Sequence, residues 1–127
     1  MLEFVHHVAI ICSDYEVSKK FYTEVLGLKI IREVYRKDRE SNKLDLSLNG
    51  KYVIELFSFP NPPKRRSYPE ACGLRHIAFG VWNLDREIQR INSFSYTVEP
   101  VRTDPYTGKR FTFLKDPDDL PIELYEL

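Results

Sequence analysis

Apolar and β-branched residues run almost without a break from Phe4 to Cys12, which predicts a strand. The period then changes. Between Ser13 and Gly27, Val17, Phe21 and Val25 recur at helical spacing with Tyr22 and Leu26 beside them. Ser13 reads as the N-cap, Glu16 completes a capping box three residues on, and Gly27 is placed to end the helix. Leu28–Tyr35, Leu44–Leu48 and Tyr52–Ser58 return to strand character, with Asn49-Gly50 as a hairpin turn. The order is β-α-β-β-β. It then recurs: a strand over Leu74–Val81, a helix over Leu84–Phe94 with Leu84, Ile88 and Ile91 on one face, and strands near Thr97–Val101, Arg110–Lys115 and Pro121–Leu127.

The two halves share motifs as well as element order. His7-Val8-Ala9-Ile10 is echoed by His76-Ile77-Ala78-Phe79, and Val53-Ile54-Glu55-Leu56-Phe57 by Pro121-Ile122-Glu123-Leu124-Tyr125. The histidine-to-glutamate interval is 48 residues in the first half and 47 in the second. One short string can match by chance, but two strings keeping their interval to within one residue indicate internal duplication. The predicted fold is α+β, two tandem βαβββ modules over about residues 4–58 and 74–127. Residues 59–73, with four of the eight prolines, form the linker. A half of this size buries too little apolar surface to stand alone, so residues 1–127 are expected to form a single domain.

Charge narrows the functional classes. Nineteen basic and nineteen acidic residues cancel, so no net field favours nucleic acid or an anionic membrane. The N-terminus lacks the basic-then-apolar pattern of a signal peptide, and no apolar run reaches the ~20 residues of a bilayer span. A cytoplasmic protein follows as the expectation, with Cys12 and Cys72 as reduced thiols.

The duplicated positions carry the candidate chemistry. On the first strand His7, Ala9 and Ile11 share a face, and on its repeat so do His76, Ala78 and Gly80. Small residues beside each histidine leave room for a ligand. Glu55 and Glu123 sit in otherwise apolar strands, where a carboxylate must be paired, neutralised or bound to a cation. Two histidines and two glutamates make a neutral set around one divalent ion, open to water or substrate if octahedral. Without thiolates it is not a closed structural zinc site. His6 rivals His7, but its counterpart in the repeat is Arg75, so His6 stays outside the ligand set.

These residues resemble the vicinal oxygen chelate superfamily, and glyoxalase I most closely within it. The likeness rests on His7-Val8-Ala9-Ile10, Phe21-Tyr22 with Leu26-Gly27-Leu28, Val53-Ile54-Glu55-Leu56, Leu74-Arg75-His76-Ile77-Ala78, and Asp116-Pro117-Asp118 leading to Ile122-Glu123-Leu124. It implies that His7, Glu55, His76 and Glu123 bind a divalent ion, Ni²⁺ or Zn²⁺ first, with Co²⁺, Mn²⁺ or Fe²⁺ as alternatives. It further implies a lyase or isomerase acting on the hemithioacetal of a 2-oxoaldehyde through an enediolate, with Glu123 as first and Glu55 as second candidate base. Rival readings are a thiol transferase, epimerase or dioxygenase, or a protein that sequesters its ligand. The implied partners are a small-molecule substrate, a thiol adduct among the candidates, and a second copy in a homodimer. Two positions depart from the glyoxalase I pattern: the usual glutathione-anchoring arginine and asparagine are Ile11 and Phe59. Asp119 stands where the usual turn has glycine. Candidate substrate contacts are Tyr35, Arg36, Arg75, Lys109, Arg110 and Thr112.

Overall fold

The computed structural model describes residues 1–127 and divides into two compact units, Met1–Lys64 and Arg65–Leu127. The boundary falls inside the proline-rich linker. In the first unit, strand β1 (Val8–Cys12) leads to helix α1 (Tyr15–Lys20), then to β2 (Lys29–Arg36), β3 (Ser41–Leu48) and β4 (Lys51–Ser58). They form a sheet in the order β1-β4-β3-β2, with β1 parallel to β4 and the other pairs antiparallel. The second unit repeats this: β5 (Ile77–Val81), helix α2 (Leu84–Asn92), β6 (Arg102–Thr103), β7 (Arg110–Lys115) and β8 (Pro121–Glu126), in the order β5-β8-β7-β6. The α+β tandem architecture is the expected one.

Strand alternation sorts each sheet into a covered face and a face carrying the polar groups. In the first unit Ile10, Cys12, Leu44, Leu46, Ile54 and Leu56 are buried, together with Phe21, Tyr22 and Val25 of the helical segment. In the second, Leu114, Ile122 and Leu124 are buried, with Leu84 and Ile91 of α2. Each such side chain contributes roughly 1.5–3 kcal/mol by leaving water, which fixes the register and so the direction of the opposite face.

Several boundaries differ from expectation, each for a local reason. β1 begins at Val8, and Phe4 and Val5 are exposed. The first helix is capped by Asp14, whose carboxylate accepts the Val17 amide, in place of Ser13. It widens into a π-helical turn over Phe21–Val25, where the Leu26 amide reaches back to the Phe21 carbonyl; this brings Phe21, Tyr22 and Val25 into the core together. Thr97–Val101 is not a strand: Pro100 has no amide to donate, and the segment is tied by one hydrogen bond from the Glu99 amide to the Phe113 carbonyl. β5 starts at Ile77 because the Leu74 and Arg75 carbonyls accept from the Arg65 guanidinium. Neither cysteine is in a disulfide; Cys12 is buried with its thiol donating to the Phe57 carbonyl, and Cys72 is exposed. No helix is long and apolar enough to cross a membrane.

Candidate metal centre

Each unit builds one histidine–glutamate pair in the same way. The residue opposite Glu55 is Ala9, two past His7, and the residue opposite Glu123 is Ala78, two past His76. The parallel pairing of first and last strand therefore sets each imidazole beside its carboxylate, and alanine leaves the space between them open. His7 Nε2 lies 3.8 Å from Glu55 Oε1, and His76 Nε2 lies 3.0 Å from Glu123 Oε2. Both carboxylates are mostly shielded, at 15% and 13% side-chain exposure, and the imidazoles are more open at 36% and 30%. The donor set suits a borderline divalent ion. Cis ligands each about 2.1 Å from an ion stand about 3 Å apart, which matches the His76–Glu123 spacing. Neither pair is joined by a third carboxylate, imidazole or thiolate grouped to hold an ion.

The surroundings of the two carboxylates differ sharply. Glu55 Oε2 lies 3.2 Å from Lys43 Nζ and 3.2 Å from the Tyr52 hydroxyl. Both groups are held by Asp45, at 2.6 Å and 2.7 Å from its Oδ1, while Arg32 Nε and Nη2 sit 3.1 and 3.0 Å from its Oδ2. Burial works to raise the Asp45 pKa, but the donors from Lys43, Tyr52 and Arg32 outweigh it and hold the carboxyl below its ordinary range. Lys43 is raised by its bond to Asp45, and Tyr52 is raised by burial and then by the same carboxylate. Tyr52 also packs beneath both N-terminal histidine rings, at 5.2 Å from His6 and 4.8 Å from His7, and His6 Nδ1 lies 2.8 Å from His7 Nδ1. His6 is thus a neighbour of the pair. In the second unit the residue opposite Glu123 is Phe113, whose ring meets His76 edge-on.

A cavity of about 1020 Å³ opens beside His76 and Phe113 in the second unit. Its lining includes the basic residues Arg65, Arg66, Arg75, Arg102 and Lys115 against the acids Glu70 and Glu99. Arg102 stacks over Phe111 and Phe113. Of the candidate substrate contacts, Arg75 lines this cavity, and Tyr35 and Lys109 are exposed elsewhere on their units. Arg36 is engaged by Ser41 and by the faces of Phe57 and Phe59. Two candidates are engaged within their own unit. Thr112 is fully buried and donates to the Glu99 carbonyl. Arg110 is committed to Glu126 and Asp85, tying β7, β8 and α2 together. Lys43, Asp45 and Tyr52 escaped the sequence reading. The signal for Lys43 and Asp45 was Lys43-Leu44-Asp45-Leu46, whose polar residues share the face of Glu55.

Residues 4–124 match the family model described as Glyoxalase/Bleomycin resistance protein/Dioxygenase superfamily. The chain belongs to that superfamily. It is 62% identical over 99% of its length to the "Uncharacterized protein YwkD" of Bacillus subtilis (strain 168), of which it covers 98%. To the "Uncharacterized protein YaeR" of Escherichia coli (strain K12) it is 59% identical, covering 98% of this chain and 97% of that protein. Among solved structures, a glyoxalase family protein from Enterococcus faecalis shares 45% identity over 98% of both chains with a TM-score of 0.90. Likeness extends to two proteins whose names give other activities. A 2-epi-5-epi-valiolone epimerase of Actinomyces sp is 26% identical over 97% of this chain and 79% of its own length. The fosfomycin resistance protein FosX of Listeria monocytogenes, solved as an E126Q mutant with Mn(II) and a dihydroxypropylphosphonic acid, shares the fold at 22% identity and a TM-score of 0.75, over 98% of this chain and 93% of its own.

Proposed function

We propose that the protein is a metal-dependent lyase or isomerase of the glyoxalase I type, acting in the cytoplasm as a homodimer on the hemithioacetal of a 2-oxoaldehyde. The observation that carries this reading is the duplicated histidine–glutamate pair in identical strand register, Ala9 opposite Glu55 and Ala78 opposite Glu123. A single pair supplies two ligands, fewer than a tightly held ion requires. His7, Glu55, His76 and Glu123 would together hold one divalent ion, nickel or zinc first, in one functional domain spanning both units. The chemistry such an ion supplies when bound is Lewis-acid withdrawal of charge from two neighbouring substrate oxygens.

The chain's own groups then divide the proton transfer. Glu123 takes the proton from the carbon beside the carbonyl, giving the enediolate, and returns it to the adjacent carbon. Its environment favours this role: its neighbours are His76 and an aromatic wall, so its oxygens are not tied by other donors. Glu55, the second candidate, has one oxygen engaged by Lys43 and Tyr52. The basic excess of the cavity beside His76 favours a substrate with negative charge.

A second reading has a specific observation behind it. The positions of the usual glutathione anchors are apolar: Ile11 is 56% exposed, and Phe59 stacks with Phe57. A different thiol, or an epimerase-type substrate needing the same proton step without a thiol, accommodates this better than glutathione. The test is elemental analysis of the purified protein, followed by assays with methylglyoxal and glutathione, cysteine or coenzyme A, reading thioester formation. Bound divalent metal and thioester with one of the thiols is the expected result. Metal without thioester turns the reading to an epimerase, thiol transferase or dioxygenase. Absence of any bound or bindable metal leaves a ligand-sequestering protein.

A further inference from the structure

We infer that Asp45 is the positioning residue for Glu55, fixing that carboxylate so that one oxygen is held back and the other is presented beside His7. The inference rests on the metal-binding reading and adds to it a division of labour between the two glutamates.

The argument starts from the cost of the residue. Asp45 has no exposed surface and is ion-paired with Lys43 and Arg32, an arrangement that apolar packing commonly matches or betters in stability. The same fold demonstrates the apolar solution: at the duplicated position, opposite Glu123, stands Phe113. The position therefore does not demand a carboxylate for folding, and the network around Asp45 serves something else.

Geometry identifies what it serves. Asp45 Oδ1 receives Lys43 Nζ and the Tyr52 hydroxyl, and both groups lie 3.2 Å from the same oxygen of Glu55, Oε2. A hydroxyl has one proton to donate, and its shorter contact is to Asp45, so Tyr52 is locked in place by Asp45 and bounds the space of Glu55. Lys43 has three protons and can serve both acids. Arg32 holds the opposite edge of Asp45. The result leaves Oε1 as the atom nearest His7. No such network surrounds Glu123, where the matching strand supplies Phe111 and Phe113. One glutamate is thus a fixed ligand and its counterpart a carboxylate able to swing.

The test uses Mn²⁺ titration for affinity and the visible absorption of the Co²⁺-loaded protein for coordination geometry. Two variants of the full chain are compared with wild type, Asp45→Asn and Tyr52→Phe, the second keeping the buried charge pair so that folding is preserved. Asp45→Asn is expected to weaken Mn²⁺ binding on the order of 10- to 100-fold, the usual effect of losing a group that orients a ligand. Both variants are expected to move the Co²⁺ bands. Variants that are folded by circular dichroism yet keep wild-type Mn²⁺ affinity and Co²⁺ bands would overturn the inference while leaving the metal site standing. A wild-type protein that binds neither ion overturns the metal reading, and this inference with it.

Discussion

Under the proposed function, Asp45 and Glu123 are the residues at which the most chemistry would depend on a single side chain. The Asp45 carboxyl is held below its ordinary pKa in the folded protein by Lys43, Tyr52 and Arg32, against the opposing effect of burial. A depressed carboxylate adds stability that is complete above its unfolded value, about pH 4, and lost as pH falls through the lower folded value. Asp45→Asn should therefore cost about 3 kcal/mol at pH 7, near the lower end for breaking a buried pair because Lys43 and Arg32 can reach water. In urea melts the gap to wild type should narrow below about pH 4. A gap that is flat with pH would mean that the charge itself contributes nothing. Glu123→Gln makes a different prediction. Glutamine keeps the shape and an oxygen ligand but cannot accept the proton, so kcat should fall about 10²- to 10⁴-fold. Mn²⁺ binding should persist, weakened far less than turnover. Unchanged turnover would remove Glu123 from the role of base.

Helix α1 and its π-helical continuation end on Gly27 at φ +76°, where the Leu28 amide returns to the Tyr22 carbonyl. Nothing lies within 4 Å of where a Cβ would stand, so an added methyl meets only the intrinsic cost of the left-handed region. Gly27→Ala should lower stability by roughly 1–2 kcal/mol in chemical denaturation while leaving divalent-ion affinity intact; loss of affinity would mean that the helix end also tunes β1. The glycine was legible in the sequence because its role is local, and so was Asn49-Gly50, which takes φ +50° and +79° in the hairpin between β3 and β4. Features set by distant partners were not. Ser13 and Asp14 are both good caps, and only the structure picks Asp14. Residues 97–101 look strand-like until Pro100 and the Glu99–Phe113 bond are taken together. The histidines and glutamates stood out because duplication repeats them at a fixed interval. The Asp45 network could not, because Arg32, Lys43 and Tyr52 come from three strands and have no counterpart in the second half.

At the scale of the whole chain, duplication is kept where each histidine–glutamate pair is set and abandoned around it. Each unit retains the alanine opposite its glutamate, yet one surrounds that glutamate with charge and the other with aromatic rings. Under the proposed function this divergence gives the two glutamates different roles. It also makes a thermodynamic prediction that distinguishes a shared ion from two independent weak sites. A ligand that binds only the folded state stabilises it by RT ln(1 + [L]/Kd), about 2.7 kcal/mol at a hundred times Kd. Wild-type protein should therefore show a clear rise in Tm with Ni²⁺ or Zn²⁺ and a stoichiometry of one ion per chain by titration. If one ion draws on all four residues, His7→Ala and His76→Ala should each abolish most of that rise, although they lie in different units. Two separate sites would behave otherwise: each variant would lose about half of the bound metal and keep the affinity of the remainder. The second pattern would leave the histidine–glutamate pairs as ion-binding edges and remove the ground for a single catalytic centre.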